Sequence, residues 1–242
     1  MGTVTPLRTP IELLARRVRS QGGRPLVTYY DPAAGERVEF SATTFANWVD
    51  KTANLLGTLG VEQGGLVAGP LAVTHPGHWV SLVWPLACWQ AGAAWAAVAP
   101  PVPAGAGLVV VGPADPHPLL PDATIACSLH PLGLPLAGLP AGVLDYTGNV
   151  LAEPDAHWAA PVLPDDVAWL DGERSASYLD LAGLPPSPDR VLVRPSSPWQ
   201  TLADAVLRPL LGGGSAVVVA GDVDDAGLAR IAASEKATTG LE

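Results

Sequence analysis

From Gln63 to Ala114 the chain carries no Asp, Glu, Lys or Arg. Apolar chain of that length has to be buried, either in a protein core or in a bilayer. Residues 79–98 come close to the ~20 residues that a spanning helix needs. However, Pro85, Gln90 and Gly92 interrupt the stretch, and no cluster of Lys or Arg flanks it to set an orientation. The pattern instead predicts a strand over 66–73, a buried helix over 78–91 and a second buried strand over 93–98. Apolar strands alternating with a helix indicate a parallel sheet covered on both faces and joined by right-handed crossovers.

The remaining composition agrees with a packed domain. Hydrophobic residues make up 48% of the 242 and charged ones 15%, against about 25% charged in ordinary proteins, which excludes a disordered chain. The length suits one α/β domain, read here as 1–240 with a first subregion at 1–100, a Pro/Gly-rich and loop-rich segment at 101–163, and a second subregion at 164–240. A net charge of −10 and a pI near 4.8 leave little basic surface to neutralise phosphates, so nucleic acid is not an expected partner, and neither is a membrane surface. Cys88 and Cys127 both lie among apolar residues, which suits free buried thiols in a reducing cytoplasm. The first twenty residues carry Arg8, Glu12, Arg16, Arg17 and Arg19 with no apolar core of a secretory signal, so a cytoplasmic location is expected. Eleven of the thirteen basic residues are Arg, the usage of a high-GC bacterial genome. Leu241-Glu242 reads as an expression scar and stands outside the fold argument.

Local signals place the other elements. Thr9-Pro10-Ile11-Glu12 is a capping box with proline at the first helical position, and the helix it opens should run to about Ser20. Residues 26–30 and 37–40 are β-rich runs around Asp31-Pro32-Ala33-Ala34-Gly35, a hairpin signal. After the N-cap that Ser41 offers, Phe45, Trp48, Val49, Thr52, Leu55, Leu56 and Leu59 share one helical face that stops at Gly60. Burial is expected for Phe45, Trp48, Leu55, Leu56, Leu82 and Leu86. In the middle segment only short strands such as 108–111 and 124–127 are expected. Strands are then predicted at 167–170, 190–193 and 215–220, with helices at 201–211 and 225–234.

These residues resemble a known family. Arg24-Pro25-Leu26-Val27, Val38-Glu39-Phe40-Ser41, Thr52-Ala53-Asn54-Leu55-Leu56 with Leu59-Gly60-Val61, and Gln90-Ala91-Gly92-Ala93 are similar to the amino-terminal part of AMP-binding, adenylate-forming enzymes: the acyl-CoA synthetases, luciferases and peptide-synthetase adenylation domains. The likeness resumes at 164–170 and again at 209–219, covering about half the chain in the family's order. The resemblance implies a layered α/β fold of parallel sheets and helices, the amino-terminal domain of a larger enzyme with a mobile lid. It rests on packing and turn positions, so it speaks for fold more than for chemistry.

The departures bear on function. In the family the strand matching 167–170 leads into a Ser/Thr/Gly-rich loop ending in Pro-Lys that holds the ATP phosphates. Here Asp171-Gly172-Glu173-Arg174-Ser175-Ala176-Ser177-Tyr178 follows, with one glycine, no lysine and two carboxylates, which would repel a triphosphate. The stretch Arg194-Pro195-Ser196-Ser197-Pro198-Trp199 stands where acyl-activating relatives usually have an aromatic-histidine pair, and holds no histidine. The sequence stops before the motifs that the family uses for adenine, magnesium and ribose and before the lid lysine. Gly212-Gly213-Gly214 falls between a helix and a strand and reads as a connection. His75 and His78, separated by Pro76-Gly77, read as a turn or helix start rather than metal ligands. Asp222, Asp224 and Asp225 read as a helix cap, and Asp145 and Glu153 as surface charges.

The sequence therefore nominates no catalytic residue, cofactor or metal. Its first functional reading is a non-catalytic relative of adenylate-forming enzymes, a pseudoenzyme acting as a binding or protein-interaction module. The alternatives are a binder of an acyl or nucleotide ligand in a remnant cleft, and a subunit that another chain completes into an active synthetase. Whether side chains such as Trp169 and Trp199 fill the cleft beside 171–178 separates binder from scaffold. Self-association or a protein partner is expected on the side formed by Ser215 to Ala220 and the following helix, because a sheet ending near residues 237–240 should leave an edge uncovered.

Overall fold

The computed structural model describes residues 8–114, 119, 123–131 and 133–239. Helix α1 (Pro10–Gln21) opens on the capping box: the Thr9 hydroxyl accepts from the Glu12 amide and the Glu12 carboxylate from the Thr9 amide. Strands β1 (Pro25–Asp31) and β2 (Glu36–Ser41) form the expected antiparallel hairpin. Ser41 then caps α2 (Ala42–Thr58), which ends before Gly60 in a left-handed conformation at φ 78°. Of the residues expected to be buried, Phe45, Leu55, Leu56, Leu82 and Leu86 are at most 1% exposed, and Trp48 is half-buried.

The strand expected over 66–73 is a correction. Strand β3 spans only Leu66–Ala68, and α3 (Pro70–Thr74) follows at once. Pro70 has no N–H to give a sheet and its fixed φ suits a first helical turn, so it overrides the strand preference of Val73 and Thr74. Helix α4 (Trp79–Gln90) has every residue buried and continues through Pro85, and β4 (Ala94–Ala96) follows. The Pro/Gly-rich stretch supplies β5 (Ala106–Val111), β6 (Thr124–Ala126), β7 (Val143–Asp145) and a short α5 (Tyr146–Val150). Next come β8 (Val167–Leu170), β9 (Ser175–Ser177), α6 (Tyr178–Ala182) and β10 (Arg190–Val193).

The helix expected over 201–211 is longer and irregular. It begins as α7 (Pro198–Leu202), widens into a π-helical turn at Ala203–Leu207, and closes as α8 (Arg208–Gly212). Pro209 cannot donate to the carbonyl four residues back, and the ladder loosens just before it. The three glycines after it are a close-packed connection: Gly213 is left-handed at φ 86°, and a Cβ on Gly214 would lie 2.2 Å from the Asp189 carbonyl oxygen. Strand β11 (Ser215–Val219), α9 (Asp225–Glu235, capped by Asp224) and β12 (Thr238–Thr239) complete the described chain. Gly240 and Leu241-Glu242 lie outside the described residues.

Two sheets result, in the orders β12-β10-β11-β1-β2 and β7-β6-β5-β3-β4-β8-β9. Every pairing is parallel except the β1–β2 and β8–β9 hairpins. One continuous apolar core joins residues of both sheets to α1, α2 and α4, including Val27, Val67, Trp84, Trp95 and Val218. Among the described residues no helix is long and apolar enough to cross a membrane.

On the side where a partner is expected, the strand at Ser215 to Val219 is not itself the sheet edge. Strand β11 lies between β10 and β1, all five of its residues are buried, and α9 covers Val217 and Val219. The short β12 takes the edge position instead.

Candidate functional site

In open α/β sheets ligands gather at the carboxyl ends of the strands, and there the two sheets meet in this chain. Strand β8 turns back through Asp171-Gly172-Glu173-Arg174 into β9 as a tight hairpin. Asp171 organises the turn: its Oδ1 accepts from the amides of Glu173 (2.9 Å) and Arg174 (2.7 Å), and its Oδ2 from the indole of Trp169 (2.9 Å). Two amides that could face an anion are thus consumed by a carboxylate within the turn, the reverse of a phosphate nest.

Beyond the hairpin, Trp199 fills the space beside it. Its ring meets Trp169 edge to face at 5.4 Å, and the Arg174 guanidinium lies 4.7 Å from its centroid on a cation–π contact. Trp169 is 1% and Trp199 7% exposed, so side chains occupy the space beside 171–178. The aromatic partner of Arg174 sits 25 positions later on another element, and no local signal announces such a pairing.

Farther along the same end, a cavity of about 260 Å³ is lined by Tyr29, Asp31, His75, His78 and Arg194. The two histidines have separate structural duties. His78 is the N-cap of α4, its Nδ1 accepting from the Val80 amide at 3.2 Å, and burial pushes its pKa down to about 3. His75 ends α3 beside the Thr74 hydroxyl, 2.9 Å from its Nδ1, and burial lowers its pKa too. Arg194 donates to the carbonyls of Gly221 (3.1 Å) and Val223 (3.3 Å), stapling the loop after β11. Among the described residues no group of three or more His, Cys, Asp or Glu could hold a metal ion.

The other candidates are structural. Asp224 caps α9 through the Gly227 amide at 2.7 Å, while Asp145 caps α5 and also accepts from the Leu136 amide at 2.8 Å. Glu153 accepts from the Thr58 hydroxyl at 2.9 Å. Cys88 and Cys127 are free and buried, and burial raises both thiol pKa values, which leaves them poor nucleophiles.

Two layered sheets with this order of hairpins and crossovers are the fold of the amino-terminal domain of adenylate-forming enzymes. The chain superposes on an acyl-CoA synthetase of Brucella canis with a TM-score of 0.74 at 18% identity, over 98% of this chain and 47% of that one. It superposes likewise on the acetoacetyl-CoA synthetase of Streptomyces lividans (TM-score 0.68, 18% identity, 96% and 42%). A fatty acyl-adenylate ligase of L. pneumophila gives 0.64 at 13% identity, over 96% and 44%. The chain spans less than half the length of these enzymes, and at such identities the likeness shows the fold. No family model matches the chain. It is 35% identical over 250 residues to a TIGR03089 family protein of Mycobacterium tuberculosis, covering 97% of this chain and 98% of that protein, and it belongs to that family.

Proposed function

We propose that this chain is a non-catalytic member of the adenylate-forming fold, a bacterial cytoplasmic pseudoenzyme that serves as a binding or protein-interaction module. The observation that carries this reading is the β8–β9 hairpin: where the fold's enzymes hold phosphates, Asp171 takes the turn amides and Trp199, under Arg174, fills the adjoining space. Adenylation depends on donors and cations positioned around a triphosphate, and this turn offers a carboxylate instead. ATP–pyrophosphate exchange across a panel of carboxylic acids should stay at background for the purified chain. Robust exchange from a homogeneous preparation would defeat the reading.

An interaction role draws support from the segment after α5. Trp158 is 95% exposed, with Leu151 and Leu163 in the same segment at 56% and 68%. Tryptophan contributes disproportionately to protein interfaces, and open water is a costly place to leave one. If these residues meet a second copy, light scattering should show mass rising with concentration, and Trp158→Ala should abolish the rise. A constant monomer mass would exclude self-association through this segment.

A further inference from the structure

At the opposite, amino-terminal ends of the strands, α1, α6 and the end of α8 line a half-open cavity of about 660 Å³, a size that suits a small ligand. Arg8, Arg16 and Arg17 line it with Leu13, Leu179 and Leu210, and no acidic side chain among the described residues reaches its wall. In a chain of net charge −10 that is a marked concentration of positive charge. Arg17 is the unusual member. It is 8% exposed, one of its terminal nitrogens donates to the Gly213 carbonyl, and its Nε is buried with no partner. Burial and the neighbouring Arg24 both lower its pKa. Among the described residues no carboxylate forms an ion pair with it. A buried cation without a counter-charge is costly, and an anion in the cavity would relieve that cost. Beyond Arg17 the cavity adjoins a second recess, of about 390 Å³, where Arg24, Arg190 and Lys236 are balanced by Glu39 and Glu235, so the unbalanced positive charge lies in the larger cavity.

We propose that the larger cavity binds a small acid-headed amphiphile, a carboxylate or phosphate monoester on a short hydrocarbon body. The head group lies against Arg16 and Arg17, and the body runs along Leu13, Leu179 and Leu210. Guanidinium forks suit both carboxylate and phosphate, and the leucines explain why a bare anion is not enough. This site stands at the other end of the sheets from the Asp171 hairpin and is independent of the proposed loss of catalysis.

Calorimetry and thermal shift with octyl phosphate, octanoate, octanol, octyltrimethylammonium and inorganic phosphate test it. Both anionic amphiphiles should bind saturably and raise the melting temperature. Octanol and octyltrimethylammonium should not, and inorganic phosphate should bind at least tenfold more weakly than octyl phosphate. Arg16→Ala and Leu179→Asp, both at exposed positions, should each weaken octyl phosphate binding at least tenfold in a folded protein. Arg19→Ala, an exposed cation of the same helix outside the cavity wall, should leave binding unchanged. The proposal is overturned if neither anion binds, if Arg19→Ala weakens binding as much as Arg16→Ala, or if Leu179→Asp has no effect. Retention on phosphatidylglycerol vesicles without binding of monomeric octyl phosphate would overturn it as well, because the cations would then be serving a membrane surface.

Discussion

Alanine at position 69 should lower the melting temperature by roughly 6–12 °C. A Cβ built on Gly69 would lie 1.9 Å from Cζ2 and 2.2 Å from Cη2 of Trp95, far inside van der Waals contact. Neither side yields easily. The Gly69 amide donates to the Ala96 carbonyl at 2.7 Å, which fixes the backbone between β3 and α3. The Trp95 ring is fully buried and stacked on Trp84, with centroids 6.4 Å apart. Overpacking of this kind typically costs about 1–3 kcal/mol, and a clash with a locked indole on a pinned backbone belongs at the upper end, about 3 kcal/mol. At roughly 2–4 °C per kcal/mol for a chain of this size, that gives the stated shift. The decisive measurement is a double-mutant cycle by denaturant unfolding. Trp95→Leu alone should destabilise by roughly 3 kcal/mol through the cavity it leaves. Combined with Gly69→Ala it should cost less than the sum by about 1 kcal/mol or more, since the new methyl then occupies vacated space. Strict additivity would mean that the methyl and the indole do not compete.

That contact marks the boundary of what could be read from the residues alone. The capping box at Thr9, the Ser41 cap, the face from Phe45 to Leu56 and the charge-free α4 were legible because each is encoded within a few neighbouring positions. The quoted family likeness supplied the layered parallel architecture. What stayed hidden depended on partners distant in sequence. Gly69 and Pro70 end β3 early, yet the reason a glycine fits there is an indole 26 positions later. Strand β7 has only three residues and is fixed by pairing with β6, so its own composition says little. At the candidate site, the departure from the phosphate loop of the family that the sequence resembles was visible as an acidic stretch at 171–174. The pairing of Arg174 with Trp199 and that of Arg17 with Gly213, 196 positions apart, came only with the fold.

Acid should weaken the five-stranded sheet through a single carboxylate. Glu235, at the end of α9, accepts from Tyr30 (2.5 Å) and Arg37 (2.9 Å) through Oε1 and from Arg190 (2.6 Å) through Oε2. Arg190 also donates from Nε to the Glu235 carbonyl and from Nη2 to the Thr28 hydroxyl, both at 2.9 Å. The cluster thereby ties α9 to β1, β2 and β10. Burial alone would raise the pKa of Glu235, but the hydrogen bonds from Arg37, Tyr30 and Arg190 outweigh it and bring the value down to about 2, against an ordinary 4.5. A carboxylate whose folded pKa is depressed stabilises the protein fully above its unfolded value, and that contribution is lost as pH falls from about 4.5 to about 2. Breaking a buried ion pair costs about 3–5 kcal/mol. Arg37 is 44% exposed at its side chain, so solvent screening brings the expected cost of Glu235→Gln at pH 7 down to about 2 kcal/mol. The stability gap between wild type and Glu235→Gln, measured by urea unfolding, should then narrow steadily below pH 4.5 and nearly close by pH 2. Hydrogen exchange at pH 7 should localise the loss, with the amides of α9 and β10 opening more readily in the variant while those of β3 and β5, in the other sheet, change little. A gap that stays constant from pH 7 to pH 2 would show that the carboxylate charge is not what joins these elements.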